Sequence, residues 1–225
     1  MSVLILDFGG VISRTLFETH AQTEQALGLQ PGTLTWRGPF DPDSDPLWRD
    51  MQADKISERD YWRTQTARVG KLVGEPWTEM AQFVKAARGA DPATVIRPEF
   101  YRALEAVRTN AIRIALLSNE LDLFYGAQFR QELPFFAHFD AIHDATYTGI
   151  LKPDPRAYLN CISDLSIEPS EGVFVDDQAR NILGARQVGL RTVQFDVQEP
   201  ASSYQQALAL LGINLEQHCE RRKFS

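Results

Sequence analysis

Only two cysteines, Cys161 and Cys219, occur in the 225 residues, and they have no paired spacing. This excludes a small disulfide-stabilised domain and a zinc site built on cysteine pairs, and it is typical of proteins of the reducing cytosol. No apolar run approaches the roughly 18 residues of a membrane-spanning helix. The opening residues, MSVLILDFGG, have no basic segment before a short apolar run, so they do not resemble a signal peptide. We therefore expect a cytoplasmic location.

Basic residues are fewer than acidic residues in this chain. The chain has 23 Lys and Arg residues and 30 Asp and Glu residues, which gives a net charge of −7. Such a chain does not bind nucleic acid or an anionic membrane through net charge alone, and we expect neither as a partner. The sequence contains no phosphate-binding or dinucleotide-binding glycine loop, no GxSxG nucleophile elbow and no HExxH zinc helix. The sequence therefore gives no motif support for a P-loop nucleotide hydrolase, a dinucleotide-binding enzyme, an α/β-hydrolase or a zinc protease of these types.

Short apolar runs and helical patterns alternate along most of the chain. Hydrophobic residues make up 44% and charged residues 24%, which is typical of a soluble folded protein. Strands are predicted at 3–6, 112–117, 140–143, 172–175 and 192–195. Helices are predicted at 98–109, 121–131, 155–164, 178–188 and 201–211. Strands that alternate with helices of this length predict an α/β fold with a parallel sheet.

Residues 15–94 have a different character. Helical patterns alternate here with loops rich in Pro, Gly and Asp, and no strand alternation is present. A helix is predicted after Ser57, because Ser57 and Asp60 have the spacing of a capping box. All four tryptophans lie in this segment, and we expect them mainly to pack: Trp36, Trp48, Trp62 and Trp77. We predict a helical domain at 15–94, inserted into an α/β core of 1–14 and 95–225.

Polar side chains follow three of the predicted strands. They are Asp7, the pair Ser118 and Asn119, and the pair Asp176 and Asp177, while Lys152 precedes a helix at the same predicted edge. Each has a simple structural explanation by itself, as a turn residue, a helix cap or a solvated lysine. Ligands gather at the carboxyl ends of parallel strands, and one hypothesis explains all of these residues together.

That hypothesis is phosphoryl transfer to a carboxylate. An aspartate that attacks phosphorus forms an aspartyl-phosphate, and the two anions require a cation such as Mg²⁺, which prefers oxygen ligands. Asp7, Asp176 and Asp177 would supply the carboxylates. The Ser118 hydroxyl and the Lys152 ammonium would bind the phosphate oxygens.

Four segments carry a family resemblance in addition: LILDFGGVI, IALLSNE, ILKPDPRAY and VFVDDQARNILGARQVGL. In this order they resemble the signature motifs of the haloacid dehalogenase-like hydrolase superfamily, over residues 1–14 and about 95–212. The resemblance implies a Rossmannoid core with an inserted helical cap domain and a Mg²⁺-dependent phosphatase acting on a small phosphate monoester, such as a sugar phosphate. The chain is similar in particular to the glucose-1-phosphate phosphatases and the phosphatase domain of soluble epoxide hydrolases.

The resemblance also implies a role for each site residue. Asp7 would be the nucleophile and a metal ligand, and Lys152 would neutralise charge on the nucleophile and the phosphate. Ser118 would bind the phosphoryl group, with Asn119 beside it as a further substrate-binding residue. Asp177 would ligate the metal directly, whereas Asp176 would act more through water.

One position departs from the phosphatase pattern. The family's second aspartate, two residues after the nucleophile, protonates the leaving group, and this chain has Gly9 there. The Gly9 carbonyl is still able to bind Mg²⁺, but the missing acid is worth about 10²–10⁴-fold in rate. We therefore expect activated leaving groups, as in anomeric or acyl phosphates, to be favoured. His20 is the candidate for a substitute proton donor.

Two alternatives remain open at this stage. A dehalogenase would use the same aspartate on carbon and would need no metal, although such enzymes generally lack the acidic pair found here at Asp176 and Asp177. A non-catalytic binding protein would keep the fold without the chemistry lost at Gly9. Metal dependence distinguishes the first alternative, and Mg²⁺ binding without turnover would support the second.

Overall fold

Five parallel strands form one sheet in the computed structural model, which describes residues 2–88, 92–126 and 128–214. The strands are β1 (Val3–Leu6), β2 (Arg113–Ser118), β3 (Ala141–Asp144), β4 (Gly172–Asp176) and β5 (Arg191–Gln194), in the spatial order β3-β2-β1-β4-β5. The predicted parallel α/β fold is confirmed. Cys219 lies outside the described residues.

The helices alternate with these strands in the second half of the chain. Before β2 the chain forms α1 (His20–Ala26), α2 (Pro46–Gln52), α3 (Glu58–Val73), α4 (Met80–Arg88) and α5 (Pro98–Thr109). After β2 it forms α6 (Leu121–Tyr125), α7 (Ala145–Thr148), α8 (Pro155–Leu165), α9 (Ala179–Gln187) and α10 (Pro200–Leu210). The short 3₁₀ helices are Gly38–Phe40, Pro42–Ser44, Pro92–Val95, Phe129–Glu132, Pro134–His138 and Pro169–Glu171.

The chain divides into two units. The core unit contains the sheet, and its described residues are 2–14, 96–121 and 133–214. The helical unit contains residues 15–95 and 122–132, without the undescribed positions. The segment 122–132, which the sequence analysis placed in the core, therefore groups with the helical unit.

Strand β1 occupies the middle of the sheet. It pairs with β2 on one side and with β4 on the other, and Leu6 lies opposite Leu116 and Val175. All four residues of β1 are fully buried, as expected for a parallel strand covered on both faces. On one face its side chains pack with α8 and α9 in a cluster that includes Tyr158 and Ile182.

The predicted helix at 121–131 is wrong in its length. Helix α6 ends at Tyr125, and Gly126 follows with φ of +82°, a left-handed conformation that ends a helix and that glycine adopts without steric cost. A separate 3₁₀ turn then covers Phe129–Glu132. The other predicted helices of the core unit are confirmed within a residue or two.

An aromatic cluster forms the centre of the helical unit. The Phe17 ring lies 5.4 Å from that of Trp36 and 5.1 Å from that of Trp48. The predicted packing role of Trp36, Trp48 and Trp62 is confirmed, because all three are buried in this cluster. Helix α3 begins after Ser57 with the expected capping box, in which the Asp60 amide donates to Ser57 Oγ over 3.1 Å.

Among the described residues, no helix is both long and apolar enough to cross a bilayer.

Candidate active site

Asp7 stands at the carboxyl end of the central strand. Its backbone amide donates to the Val175 carbonyl over 2.9 Å, so the residue continues the β1–β4 ladder by one position. That register places Asp7 level with Leu117 of β2 and Asp176 of β4. Asp7 and Asp176 therefore lie side by side, and Ser118 follows one position further along β2, because parallel strands end at the same edge.

Lys152 contacts two of the predicted aspartates. Its Nζ lies 2.8 Å from Asp7 Oδ1 and 2.7 Å from Asp176 Oδ2, and its side chain is only 1% exposed. Burial by itself lowers the pKa of Lys152, but the two carboxylates outweigh this effect and raise the pKa above its ordinary value. The lysine is thus a fixed positive charge beside Asp7.

The Asp176 carboxylate is fully buried and accepts several hydrogen bonds. Besides Lys152, the backbone amide of Gln178 donates to Oδ1 over 2.8 Å, and Asn181 Nδ2 donates to both oxygens at 3.1 Å. Sequence analysis placed Asp176 at the metal site, acting more through water, and this role stays a prediction; the structure adds that these donors contact both of its oxygens. Its contacts make it the anchor of Lys152.

Asn119 has a different arrangement from the one expected. Its Oδ1 accepts from the Lys152 amide over 2.7 Å, and its Nδ2 donates to the Lys152 carbonyl over 3.1 Å. The side chain thereby holds the Lys152 backbone from a position 33 residues away in sequence. Its predicted contact with substrate stays a prediction, whereas this positioning contact is one that the sequence analysis missed.

Three aspartates offer a possible cation site. One carboxylate oxygen from each of Asp7, Asp176 and Asp177 lies within 4.8 Å of the others. Asp177 is half-buried and Asp7 is slightly exposed, so these two are the accessible members. The donors are all oxygen atoms, which fits a hard divalent cation such as Mg²⁺.

Gly10 is required for the position of Asp177. It has φ of +79°, and a Cβ built on it would lie 2.9 Å from Asp177 Oδ2. Any side chain there would strain the backbone and push against the carboxylate. Gly9 is exposed, and a Cβ at that position would meet nothing within 4 Å. The two adjacent glycines are therefore not equivalent.

Two buried side chains hold the loop that follows Asp7. Arg97 donates from Nε to the Gly10 carbonyl over 3.0 Å, and its own amide donates to the Ile12 carbonyl over 2.9 Å. The Tyr204 hydroxyl donates to the Val11 carbonyl over 3.1 Å. Neither residue was a candidate in the sequence analysis, because only folding brings positions 97 and 204 to this loop.

Ser118 ends β2 and is buried at the same edge of the sheet. It lies opposite Asp144 of β3, whose Oδ1 accepts from the amides of Leu121 and Thr146 at 3.2 and 2.9 Å. Asp144 thus fixes the start of α6 beside Ser118. The structure places Ser118 one position beyond the residue level with Asp7, and its contact with a phosphoryl group stays a prediction.

His20 belongs to the helical unit and is buried there. Its ring lies edge-on to Trp36 with the ring centres 4.2 Å apart. Burial, together with the Arg37 charge, lowers the pKa of His20 from 6.5 to about 4. The imidazole is therefore neutral near pH 7, which makes His20 a poor proton donor and argues against its predicted substitute role.

The sequence is similar to those of known proteins. The chain is 34% identical over 213 residues to acyl-CoA dehydrogenase family member 10 of Mus musculus, covering 94% of this chain and 19% of that protein. It is 29% identical over 121 residues to phosphoglycolate phosphatase 1 of Pseudomonas aeruginosa, covering 53% and 44%. The chain thus spans less than half the length of these two relatives.

The fold is also similar to that of solved structures. The L-2-haloacid dehalogenase of Xanthobacter autotrophicus, with chloropropionic acid covalently bound, has a TM-score of 0.59 and 20% sequence identity, covering 87% of this chain and 77% of that one. At this identity the likeness concerns the fold alone.

The sequence model of the haloacid dehalogenase-like hydrolase family matches residues 1–189, which include every predicted site residue. By this match, together with the parallel sheet and the aspartate–lysine cluster at its edge, the chain belongs to the haloacid dehalogenase-like hydrolase family.

Proposed function

We propose that this hydrolase is a Mg²⁺-dependent phosphatase of small phosphate monoesters that works through a phosphorylated Asp7. The observation that carries the proposal is the contact of 2.8 Å between Lys152 Nζ and Asp7 Oδ1, next to a cluster of three aspartate carboxylates. An anionic nucleophile that attacks an anionic substrate requires positive charge beside it, which here would come from Lys152 and from a cation held by the carboxylates. The similarity to a bacterial phosphoglycolate phosphatase supports the phosphatase assignment.

The cation would be held by the accessible part of the aspartate cluster. Asp7 and Asp177 would be its carboxylate ligands, and the Gly9 carbonyl would be a further oxygen ligand. Asp176 would act through water, because its oxygens already accept from Lys152, Gln178 and Asn181. When bound, Mg²⁺ would neutralise negative charge on the phosphoryl group and on Asp7.

The chain's own residues would then carry out the displacement. Asp7 would attack phosphorus, while Lys152 would keep the carboxylate in place and offset the charge that develops on the phosphoryl oxygens. The Ser118 hydroxyl would donate to one of those oxygens. Asn119 would keep Lys152 in position through its two contacts with the Lys152 backbone. We also propose that the Asn119 side chain binds the substrate.

The hydrolysis of 4-nitrophenyl phosphate tests this function. Purified protein is assayed with Mg²⁺ and with EDTA, beside Asp7→Asn and beside Asp43→Asn, a matched substitution at an exposed position. We expect turnover that needs Mg²⁺ and Asp7 but is unchanged in Asp43→Asn, and a panel of sugar phosphates and other small esters follows. Turnover that survives in Asp7→Asn contradicts the proposal.

The acidic pair also separates this function from dehalogenation. Asp177 gives the site a carboxylate beside Asp7, which suits a bound cation and not a reaction at carbon that needs no metal. Release of chloride from 2-chloropropionate in the presence of EDTA would favour the dehalogenase. Binding of Mg²⁺ by calorimetry without turnover of any phosphate ester would favour a non-catalytic protein.

A further inference from the structure

The loop that follows β1 has three consecutive backbone carbonyls that accept hydrogen bonds from two distant residues. Arg97 donates from Nε to the Gly10 carbonyl over 3.0 Å and from its backbone amide to the Ile12 carbonyl over 2.9 Å. The Tyr204 hydroxyl donates to the Val11 carbonyl over 3.1 Å. Rotation of any of these three peptide groups would leave a buried donor without its acceptor, which is unfavourable. The conformation of the loop is therefore held by residues outside it.

The two donor side chains are themselves held by one aromatic ring. Arg97 is 3% exposed, and its guanidinium carbon lies 5.5 Å from the centre of the Phe195 ring, which is a cation–π arrangement. The buried Tyr204 ring stands edge-on to the same ring, with the ring centres 5.2 Å apart. Side chains that are fixed in this way by packing are suited to supporting a functional site.

Gly10 connects this support to the aspartate cluster. It has φ of +79°, and a Cβ built on it would lie 2.9 Å from Asp177 Oδ2, so the loop and this carboxylate fit closely together. The carbonyl of the same residue is the group that Arg97 Nε binds. If that carbonyl rotated, the backbone of Gly10 would turn with it, and the loop between Asp7 and Ile12 would move against Asp177. The spacing of the carboxylates that would hold a cation thus depends on this hydrogen bond.

We propose that Arg97 is a positioning residue of the cation site and that it acts through its Nε–H group. The inference rests on the Mg²⁺ site of the proposed function and adds a residue to that site. Groups that orient the ligands of a metal without touching the metal typically change its affinity by about 10–100-fold. The positive charge of Arg97 would by itself disfavour a cation nearby, so a contribution to Mg²⁺ binding has to come from the hydrogen bond.

Two substitutions separate the hydrogen bond from the charge. Arg97→Gln removes the charge but places an N–H donor, Nε2, at the same number of bonds from Cα as the arginine Nε. Arg97→Lys keeps the charge but has a methylene carbon at that place. We expect Arg97→Lys to raise the Mg²⁺ dissociation constant, measured by calorimetry on the folded protein, by about tenfold or more. Arg97→Gln should raise it by less than about threefold, because the donor is retained.

Arg113 provides the matched control. It begins β2, at the edge of the sheet opposite to the aspartates, and its Nη1 donates to the Leu165 carbonyl over 2.9 Å. Arg113→Lys therefore alters the same kind of contact away from the cation site, and it should leave the Mg²⁺ affinity unchanged. Urea unfolding is measured for every variant, because a merely structural role of Arg97 would lower the free energy of unfolding without changing the Mg²⁺ affinity of the folded protein.

Three results would overturn the inference. They are an unchanged Mg²⁺ affinity in Arg97→Lys, an equal loss of affinity in Arg97→Lys and Arg97→Gln, and a loss of the same size in Arg113→Lys. If Arg97→Lys does not fold, Arg97→Gln decides by itself. An affinity within about threefold of the natural chain then supports the inference, and a loss of about tenfold overturns it.

The outcomes also separate this inference from the phosphatase proposal. Turnover that needs Mg²⁺ and Asp7, with an unchanged Mg²⁺ affinity in Arg97→Lys, overturns the positioning role and leaves the phosphatase intact. Mg²⁺ affinities that follow the expectation without turnover of any phosphate ester support the positioning role and contradict the phosphatase. A natural chain that binds no Mg²⁺ in calorimetry overturns both.

Discussion

His20 is a buried histidine in the aromatic cluster of the helical unit, and it makes that unit sensitive to acid. The residue is 6% exposed and lies between Phe17 and Trp36, at 6.3 and 4.2 Å between ring centres. Burial and the Arg37 charge disfavour its protonated form, and the pKa falls from 6.5 to about 4. The substitution His20→Phe keeps an aromatic ring and removes the titration.

The sign and size of the effect follow from this shift. Between pH 6.5 and pH 4 the unfolded chain binds a proton at His20 that the folded chain does not, so the free energy of unfolding decreases as the pH falls through this range. At about 1.4 kcal/mol for each pKa unit, the loss attributable to His20 reaches about 3 kcal/mol at pH 4. Above pH 6.5 both states are neutral at this position, and the effect disappears.

Tryptophan fluorescence is the appropriate probe, because all four tryptophans belong to the helical unit. Urea unfolding of the natural chain and of His20→Phe is followed between pH 7 and pH 4. We expect the natural chain to lose about 3 kcal/mol more stability than the variant over this range. Glu24 also titrates in acid and its charge interacts with that of His20, but for the pKa of His20 this interaction is a smaller cause than burial.

Equal losses of stability in the two proteins would refute this reasoning. They would mean that the folded state accepts a proton at His20 without cost. The same variant also tests the chemistry, because kcat/KM for a phosphate ester at pH 7 should be the same in His20→Phe if the imidazole does not act as an acid.

Three further predictions concern the site. Lys152→Met leaves the buried Asp176 without its charged partner and should lower the free energy of unfolding by about 3–5 kcal/mol, measured by chemical denaturation; full stability in this variant would contradict the ion-pair geometry. Gly10→Ala should weaken Mg²⁺ binding and turnover more than Gly9→Ala does, since only the first Cβ meets Asp177. Asp177→Asn should weaken Mg²⁺ binding in calorimetry more than Asp176→Asn; the opposite order would make Asp176 the ligand.

Much of the core unit was predictable because its signals are local. Val3–Leu6 is a short apolar run followed by Asp7 and, two residues later, by two glycines. This pattern is typical of a buried parallel strand. The Ser57 capping box was equally visible, since its two partners lie three residues apart. The end of the helix at Tyr125 was not predicted, because a left-handed Gly126 inside a helical pattern gives a weak signal.

The candidate site was only partly predictable. Asp7, Lys152 and Asp177 were identified from their types and places relative to strands, and the structure brings all three to one edge. Arg97 and Tyr204 were missed because their role is to hold backbone carbonyls of a distant loop. No residue type or spacing marks such a contact in advance.

The sequence alone determined which chemical groups this protein presents at the strand ends, since apolar runs end where polar residues follow them. The tertiary structure alone decided which partner each group has. Lys152 bonds to Asp7 across 145 residues, and Asn119 bonds to the Lys152 backbone across 33. Whether a carboxylate binds a lysine, a backbone amide or a cation depends on distances of a few ångströms between elements. Those distances are set by the packing of the whole sheet and its helices.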